Sequence, residues 1–193
     1  MSMARKYILG LMGSPRIAGN TDFLVTEILQ SAQKNGARIE KIYLNKLKIS
    51  PCQGCGNCKT YRGCKQKDDM QGLYKKIYRA NGIVLGSPTY FGQETAQTKI
   101  FIDRCYAFLD KDFNSKIKKR KKGAIVFIWA ATGKSYAEHR RPVIEFLTNV
   151  LQGVLKAKVI GKIVGGGFSD ISDASVNKDF IRKAKIIGKR LVT

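Results

Sequence analysis

Histidine is almost absent: His139 is the only one in 193 residues. No histidine-built metal cage or multi-histidine mechanism can be assembled within one chain, and the position reads as a surface helix residue. Carboxylates are scarce as well, with 14 Asp and Glu against 36 Lys and Arg, for a formal net charge of +22. Such a balance limits partners more than it limits fold. Nucleic acid, an acidic membrane surface and acidic redox proteins all fit it, as does a plainly solvated basic surface. Long apolar runs are missing: none reaches the roughly 20 residues that cross a bilayer, so no membrane insertion is expected. The opening MSMARKYILGLMGS is basic and then apolar like a secretory signal, but it stops at Gly13-Ser14-Pro15 without a small-residue cleavage pattern and reads as a first strand. There is no internal repeat, and no low-complexity tract beyond a lysine-rich segment between residues 111 and 122. The chain has neither G-x-G-x-x-G after its first strand nor G-x-x-x-x-G-K-[ST], which argues against a dinucleotide-binding Rossmann site and a P-loop NTPase.

What is present alternates. Strand-like apolar runs and helix-like stretches follow one another five times, the pattern of repeated βα units around a parallel sheet. Expected strands are Tyr7 to Met12, Arg38 to Tyr43, Ile83 to Gly86, Ala124 to Trp129 and Val159 to Val164. Helices are expected from Thr21 to Asn35, ended by Gly36; from a cap at Asp68 or Asp69 to Ala80; through Ile100, Phe101, Cys105 and Phe108; from Glu138, with Pro142 in its first turn; and from Ala174 onward. We expect one α/β domain over residues 1–193, with a cysteine-rich loop at about 49–68 that is long enough to need a functional reason. The Asp68-Asp69 pair reads as a helix lead-in rather than as an acid–base dyad.

Ligands of open parallel sheets bind at the carboxyl ends of the strands. After the first strand, Gly13 to Thr21 supplies hydroxyls, a small backbone and a cation directly before a helix start, where N–H groups and the helix dipole favour an anion. Ser14, Asn20 and Thr21 are the candidate donors and Arg16 the neutralising charge; the bland alternative is an ordinary polar turn. After the third strand, Ser87 is followed by Pro88, Thr89, Tyr90, Phe91 and Gly92. Adjacent aromatics at a strand tip suit a flat ligand better than exposure to water.

Four of the five cysteines fall within thirteen residues, as C-x2-C-x2-C-x5-C: Cys52, Cys55, Cys58 and Cys64, interleaved with Gly54, Gly56 and Gly63. Soft thiolates in so compact a run suit an iron–sulfur cluster; zinc and free thiols stay open, although zinc sites of four cysteines usually have a longer spacer. Cys105 stands apart on an apolar helical face and reads as core. An odd number of cysteines without a signal peptide points to a reducing cytoplasm.

Together, GSPRIAGNT at 13–21, ISPCQGCGNC at 49–58, GCKQKDDM at 63–70, GSPTYFG at 86–92 and the Lys99, Asp103, Arg104 pattern resemble the flavodoxin-like NAD(P)H-dependent FMN reductases, and within them the iron–sulfur flavoproteins. The resemblance covers roughly the first 105 residues well. It implies a flavodoxin-like three-layer fold, doubly wound around a five-stranded parallel sheet of order 2-1-3-4-5. It also implies an FMN phosphate on the first loop, a flavin ring bordered by SPTYFG, and a [4Fe–4S] cluster on the four cysteines. The loop after the fourth strand, residues 130–136, lacks the Gly-rich pattern of that family; Thr132 and Gly133 are its candidate flavin contacts. The expected activity is electron transfer or oxidoreduction through FMN, with NAD(P)H a possible substrate. A homodimer or homotetramer and an acidic donor such as a ferredoxin are the expected partners. The alternatives are a cluster-free NAD(P)H-dependent FMN or quinone reductase and, less favoured because no recognition motif is present, a basic nucleic-acid-binding module.

Overall fold

The computed structural model describes residues 5–60 and 63–193. Five parallel strands, β1 (Tyr7–Met12), β2 (Arg38–Tyr43), β3 (Gly82–Pro88), β4 (Lys121–Ile128) and β5 (Ala157–Gly165), form one sheet in the order β2-β1-β3-β4-β5. The expected strand order and parallel sense are those observed. Parallel strands need crossover connections, here supplied by α1 (Asn20–Lys34), α3 (Met70–Arg79), α4 (Ala96–Arg104) and α5 (Lys134–Asn149), with α7 (Lys178–Val192) after β5. Two single-turn helices, α2 (Asn57–Thr60) and α6 (Asp173–Val176), complete the set; α2 lies within the stretch expected to be a cysteine-rich loop.

The central strands β1, β3 and β4 are apolar on both faces because both are covered, whereas the edge strands β2 and β5 carry charged residues and are largely half-buried. Leu9, Leu11, Ile83, Leu85, Ile125 and Phe127 point to one core with Leu73, Ile77, Phe101 and Leu147. Ile8, Met12, Val84, Val126 and Ile128 point to the other, with Leu24, Val25, Ile28, Ala184, Ile187 and Leu191. Cys105 lies in the first core at 1 % exposure, as expected. Burial pushes its thiol pKa up, which keeps it protonated and inert.

Three helix boundaries differ from expectation. The helix expected through Cys105 and Phe108 ends at Arg104, and those two residues lie in a following 3-10 turn. The helix expected from Glu138 begins at Lys134, directly after Gly133 at φ +107°, so Pro142 sits in its interior rather than in its first turn. Pro142 is exposed, so water can reach the carbonyl group that its missing N–H leaves unpaired. The helix expected from Ala174 is broken in two: Asn177 leaves the helical region and its side chain accepts from the Phe180 N–H, starting α7 afresh.

Candidate functional site

At the carboxyl ends of the strands, the loops after β1 and β3 are locked together by polar groups that the sequence did not single out. The Gly13 N–H donates to the Gly86 carbonyl at 2.7 Å, and the Thr95 hydroxyl donates to the Gly13 carbonyl at 2.8 Å. The Thr95 N–H in turn donates to buried Ser87 Oγ, and Thr95 and Thr98 share a hydroxyl contact of 2.8 Å. Gly13 is required here: a Cβ would fall 1.9 Å from Thr98 Oγ1. Thr95 also caps α4 by accepting from the Thr98 N–H.

Between these loops lies a cleft of about 210 Å³. Ser14, Arg16, Asn20, Thr21, Pro88, Thr89 and Tyr90 line it. Phe91, Gly92, Thr132 and Gly133 do not belong to its wall. Gly19, Ile128, Trp129, Ala130, Phe168 and Ile171 complete the wall. The strand-end rule that identified the first and third loops could have found this second set, since Trp129 and Ala130 follow β4 and Phe168 and Ile171 follow β5. The Gly-rich segment after β5 lies close to that wall: a Cβ on Gly166 would meet the Trp129 ring nitrogen at 2.3 Å.

The start of α1 faces this cleft without a side-chain cap at Gly19. Ser14 and Thr21 are buried at 4 % and 3 % exposure, and Ser14 Oγ accepts from the Arg16 N–H at 3.1 Å. Ala18 holds φ +59° so that its N–H reaches the Asp22 carboxylate. Asp22 would oppose an anion at this helix start, but its charge is paired with Lys41 at 2.6 Å and it accepts from the Tyr43 hydroxyl. Asn20 is committed elsewhere: its amide donates to the Asp170 carbonyl and its side-chain oxygen accepts from the Ala174 N–H, tying α1 to the segment after β5. The Thr89 hydroxyl is buried in the cleft wall and, among the described residues, has no hydrogen-bond partner. A buried donor in that state requires a ligand or water.

Beside the cleft, Tyr90 and Gln93 exchange two backbone hydrogen bonds around Phe91 at φ +49° and Gly92 at φ +80°. Both central residues of such a turn require positive φ, a comfortable state for Gly92 and a strained one for Phe91. The turn leaves Phe91 fully exposed and Tyr90 at 43 % exposure. Thr132 and Gly133 lie exposed before α5.

The cysteine loop leaves the same end of the sheet after β2. Cys52 and Cys55 are exposed, Cys58 and Cys64 half-buried, and all five cysteines of the chain are free thiols. Gly54, Gly56 and Gly63 all have positive φ, which gives the loop tight local curvature. The four soft donors fit an iron–sulfur cluster chemically. Among the described residues, however, no three Cys, His, Asp or Glu side chains gather around a metal-sized point.

A buried ion pair underlies the loop. Arg104, at 1 % exposure, donates to both oxygens of Asp68 and to the Ser50 carbonyl, and its second guanidinium nitrogen lies 3.5 Å from Cys64 Sγ. Burial works against both charges. The hydrogen bonds outweigh it, holding the Asp68 pKa below and the Arg104 pKa above their ordinary values. Asp68 also accepts from the Met70 N–H at the start of α3, so one carboxylate serves as helix lead-in and ion-pair partner; Asp69 binds the Lys48 N–H instead.

Comparison with known proteins agrees with this arrangement. The sequence profile of NADPH-dependent FMN reductases matches residues 7–166. An iron–sulfur flavoprotein of Archaeoglobus fulgidus is 30 % identical over 186 residues, covering 95 % of this chain and 77 % of that protein. A second from the same organism is 31 % identical, covering 96 % and 93 %. One from Methanocaldococcus jannaschii is 43 % identical over half of each chain. Among solved structures, NAD(P)H:quinone oxidoreductase from Methanothermobacter marburgensis superposes with a TM-score of 0.76 at 16 % identity, covering 97 % of this chain and all of that one. With its flavodoxin-like sheet and its cysteine loop after β2, the chain belongs to the NADPH-dependent FMN reductase family, in the iron–sulfur flavoprotein subgroup.

Proposed function

We propose that the cleft at the ends of β1 and β3 holds the phosphate and ribityl chain of FMN, with the flavin ring lying outward against Tyr90 and Phe91. The observation that carries this reading is the convergence of an uncapped helix start, buried Ser14 and Thr21, and the partnerless Thr89 hydroxyl on one small cleft. Its volume lies below the several hundred Å³ of a whole drug-sized ligand site. That size supports seating part of the cofactor and leaving the ring open to a reaction partner. Bound FMN supplies two-electron chemistry with a hydride donor and one-electron exchange with other carriers. The chain's part is to fix the phosphate on backbone N–H groups, neutralise it with Arg16 and present an exposed aromatic turn to the ring. Phe91, Gly92, Thr132 and Gly133 would act at that open side.

Cys52, Cys55, Cys58 and Cys64 are the residues to hold a [4Fe–4S] cluster, supported by donor chemistry, by the glycines that let the loop turn and by the likeness to iron–sulfur flavoproteins. The domain would work as a homodimer or homotetramer in the cytoplasm, taking electrons from NAD(P)H or from an acidic carrier of the ferredoxin kind. The dispersed sulfurs favour one second reading, an NAD(P)H-dependent FMN or quinone reductase without a cluster.

The test compares FMN with riboflavin by fluorescence quenching. Arg16→Ala should weaken FMN about tenfold, equivalent to ~1.4 kcal/mol, and leave riboflavin unchanged. An equal loss for both ligands would remove the phosphate from this loop. Anaerobic flavin bleaching by NADPH in iron-free protein would favour the second reading.

A further inference from the structure

The other end of the sheet carries a different feature. Lys6 precedes β1, Lys118 and Arg120 precede β4, Lys121 and Lys122 open it, Lys156 and Lys158 flank the start of β5, and Arg190 lies in the last turn of α7. These eight cations line a concave cleft of about 1050 Å³ with Asn81, Ser115 and Gln152, over an apolar floor that includes Ile117 and Leu191. No carboxylate lines it, and among the described residues none of the eight forms an ion pair with an Asp or Glu side chain.

Three of the eight have structural work. Lys6 donates to the Val192 and Thr193 carbonyls and Lys122 to that of Arg190, capping the end of α7. Lys121 donates to the Tyr78 and Ala80 carbonyls at the end of α3. The other five, Lys118, Arg120, Lys156, Lys158 and Arg190, are exposed. Among the described residues, none has a side-chain hydrogen bond. Lys156 is held at φ +53°, where glycine is the comfortable residue, so a cation is kept at the rim against local backbone preference.

From this concave arrangement of uncompensated cations we propose that the cleft at the amino ends of β4 and β5 is a binding site for a linear chain of phosphates, recognised through its phosphates alone. Two observations choose this ligand. The lining contains no aromatic ring, so it offers no platform on which nucleic-acid bases could stack. The cleft also opens at the end of the sheet opposite the candidate flavin site. The eight residues of β4, at ~3.3 Å each, separate the two ends by about 25 Å. An acidic electron donor docked in this cleft would therefore be remote from the cofactor it must reduce.

The experiment measures binding of fluorescently labelled inorganic polyphosphate by anisotropy over a series of salt concentrations. The arms are an abasic-free oligodeoxynucleotide and polyglutamate of matched charge. Two triple variants change net charge equally: Lys118→Gln with Lys156→Gln and Lys158→Gln in the cleft, and Lys34→Gln with Lys178→Gln and Lys185→Gln outside it. The wild type should bind polyphosphate more tightly than either competitor, with a log–log salt slope of about 4 for five free cations. The cleft triple should lose at least tenfold in affinity and about 2 from that slope, and the triple outside the cleft should lose less than threefold. Both variants should keep wild-type circular dichroism and FMN uptake, so that misfolding is read separately. Equal losses in the two triples, no polyphosphate binding, or tighter binding of the oligonucleotide or polyglutamate would each overturn the assignment.

Discussion

Arg104 is the residue on which the cysteine loop rests. Its side chain is fully buried, and it holds Asp68, the Ser50 carbonyl and the Cys64 sulfur at once. Removing one partner of a buried pair leaves the other charge stranded, typically at 3–5 kcal/mol. Arg104→Met should therefore lower the unfolding free energy by about 3 kcal/mol or more in urea titrations, and a loss under 1 kcal/mol would show that water reaches Asp68 freely. The same pair makes a pH prediction. Asp68 titrates below its unfolded value, so its stabilisation is complete above the unfolded carboxylate pKa near 4 and is lost as pH falls through the lower folded pKa. Thermal denaturation should show wild type losing stability below about pH 4 more steeply than Asp68→Asn; parallel curves would contradict the ion pair. In the cleft, Thr89→Val should weaken FMN roughly 2- to 12-fold, corresponding to one ordinary hydrogen bond of about 0.5–1.5 kcal/mol, measured by flavin fluorescence. Ser14, Thr21 and the SPTYFG turn were legible in the sequence because strand ends and turn chemistry are local signals. Arg104's hold on Asp68 was not: the two are 36 positions apart, and no local pattern pairs them.

Helix α1 and helix α7 approach so closely that residue size decides whether they can. A Cβ on Gly188 would fall 2.3 Å from the Ile28 carbonyl oxygen and 2.5 Å from Ser31 Cβ. Gly188→Ala should thus destabilise by about 1–3 kcal/mol in denaturant unfolding, against the stabilisation that alanine gives in an open helix. A neutral or stabilising result would mean that the helices part without loss. The expected β1 and β2 boundaries agree with those observed: β1 is a strong apolar run that ends at Gly13, and β2, though half charged, begins just after the Gly36 that ends α1. The α5 boundary was hidden because its first turn carries no acidic residue and its cap is Gly133, so Glu138 looked like a beginning. The α6–α7 break was hidden because Asn177 interrupts an otherwise continuous amphipathic pattern, and only its capping bond to the Phe180 N–H distinguishes a new start from a passing polar residue.

Across the whole molecule the net charge of +22 is not spread evenly. The amino ends of the strands gather cations without carboxylates, while the carboxyl ends gather hydroxyls, backbone donors, exposed aromatics and thiols. The two ends therefore suit different ligands. The charge is legible in the sequence but its gathering place is not, since Lys6, Lys118, Lys156 and Arg190 converge only through the parallel topology. The most direct test of the central claim, an FMN site paired with a four-cysteine cluster loop, is one anaerobic purification examined by visible spectrum with flavin, iron and acid-labile sulfide analysis. Flavin bands under a broad charge-transfer absorbance, with one FMN and about four irons per chain, are the predicted result. A preparation without iron would contradict the cluster, and protein that contains no flavin and takes up no added FMN would contradict the flavin site itself.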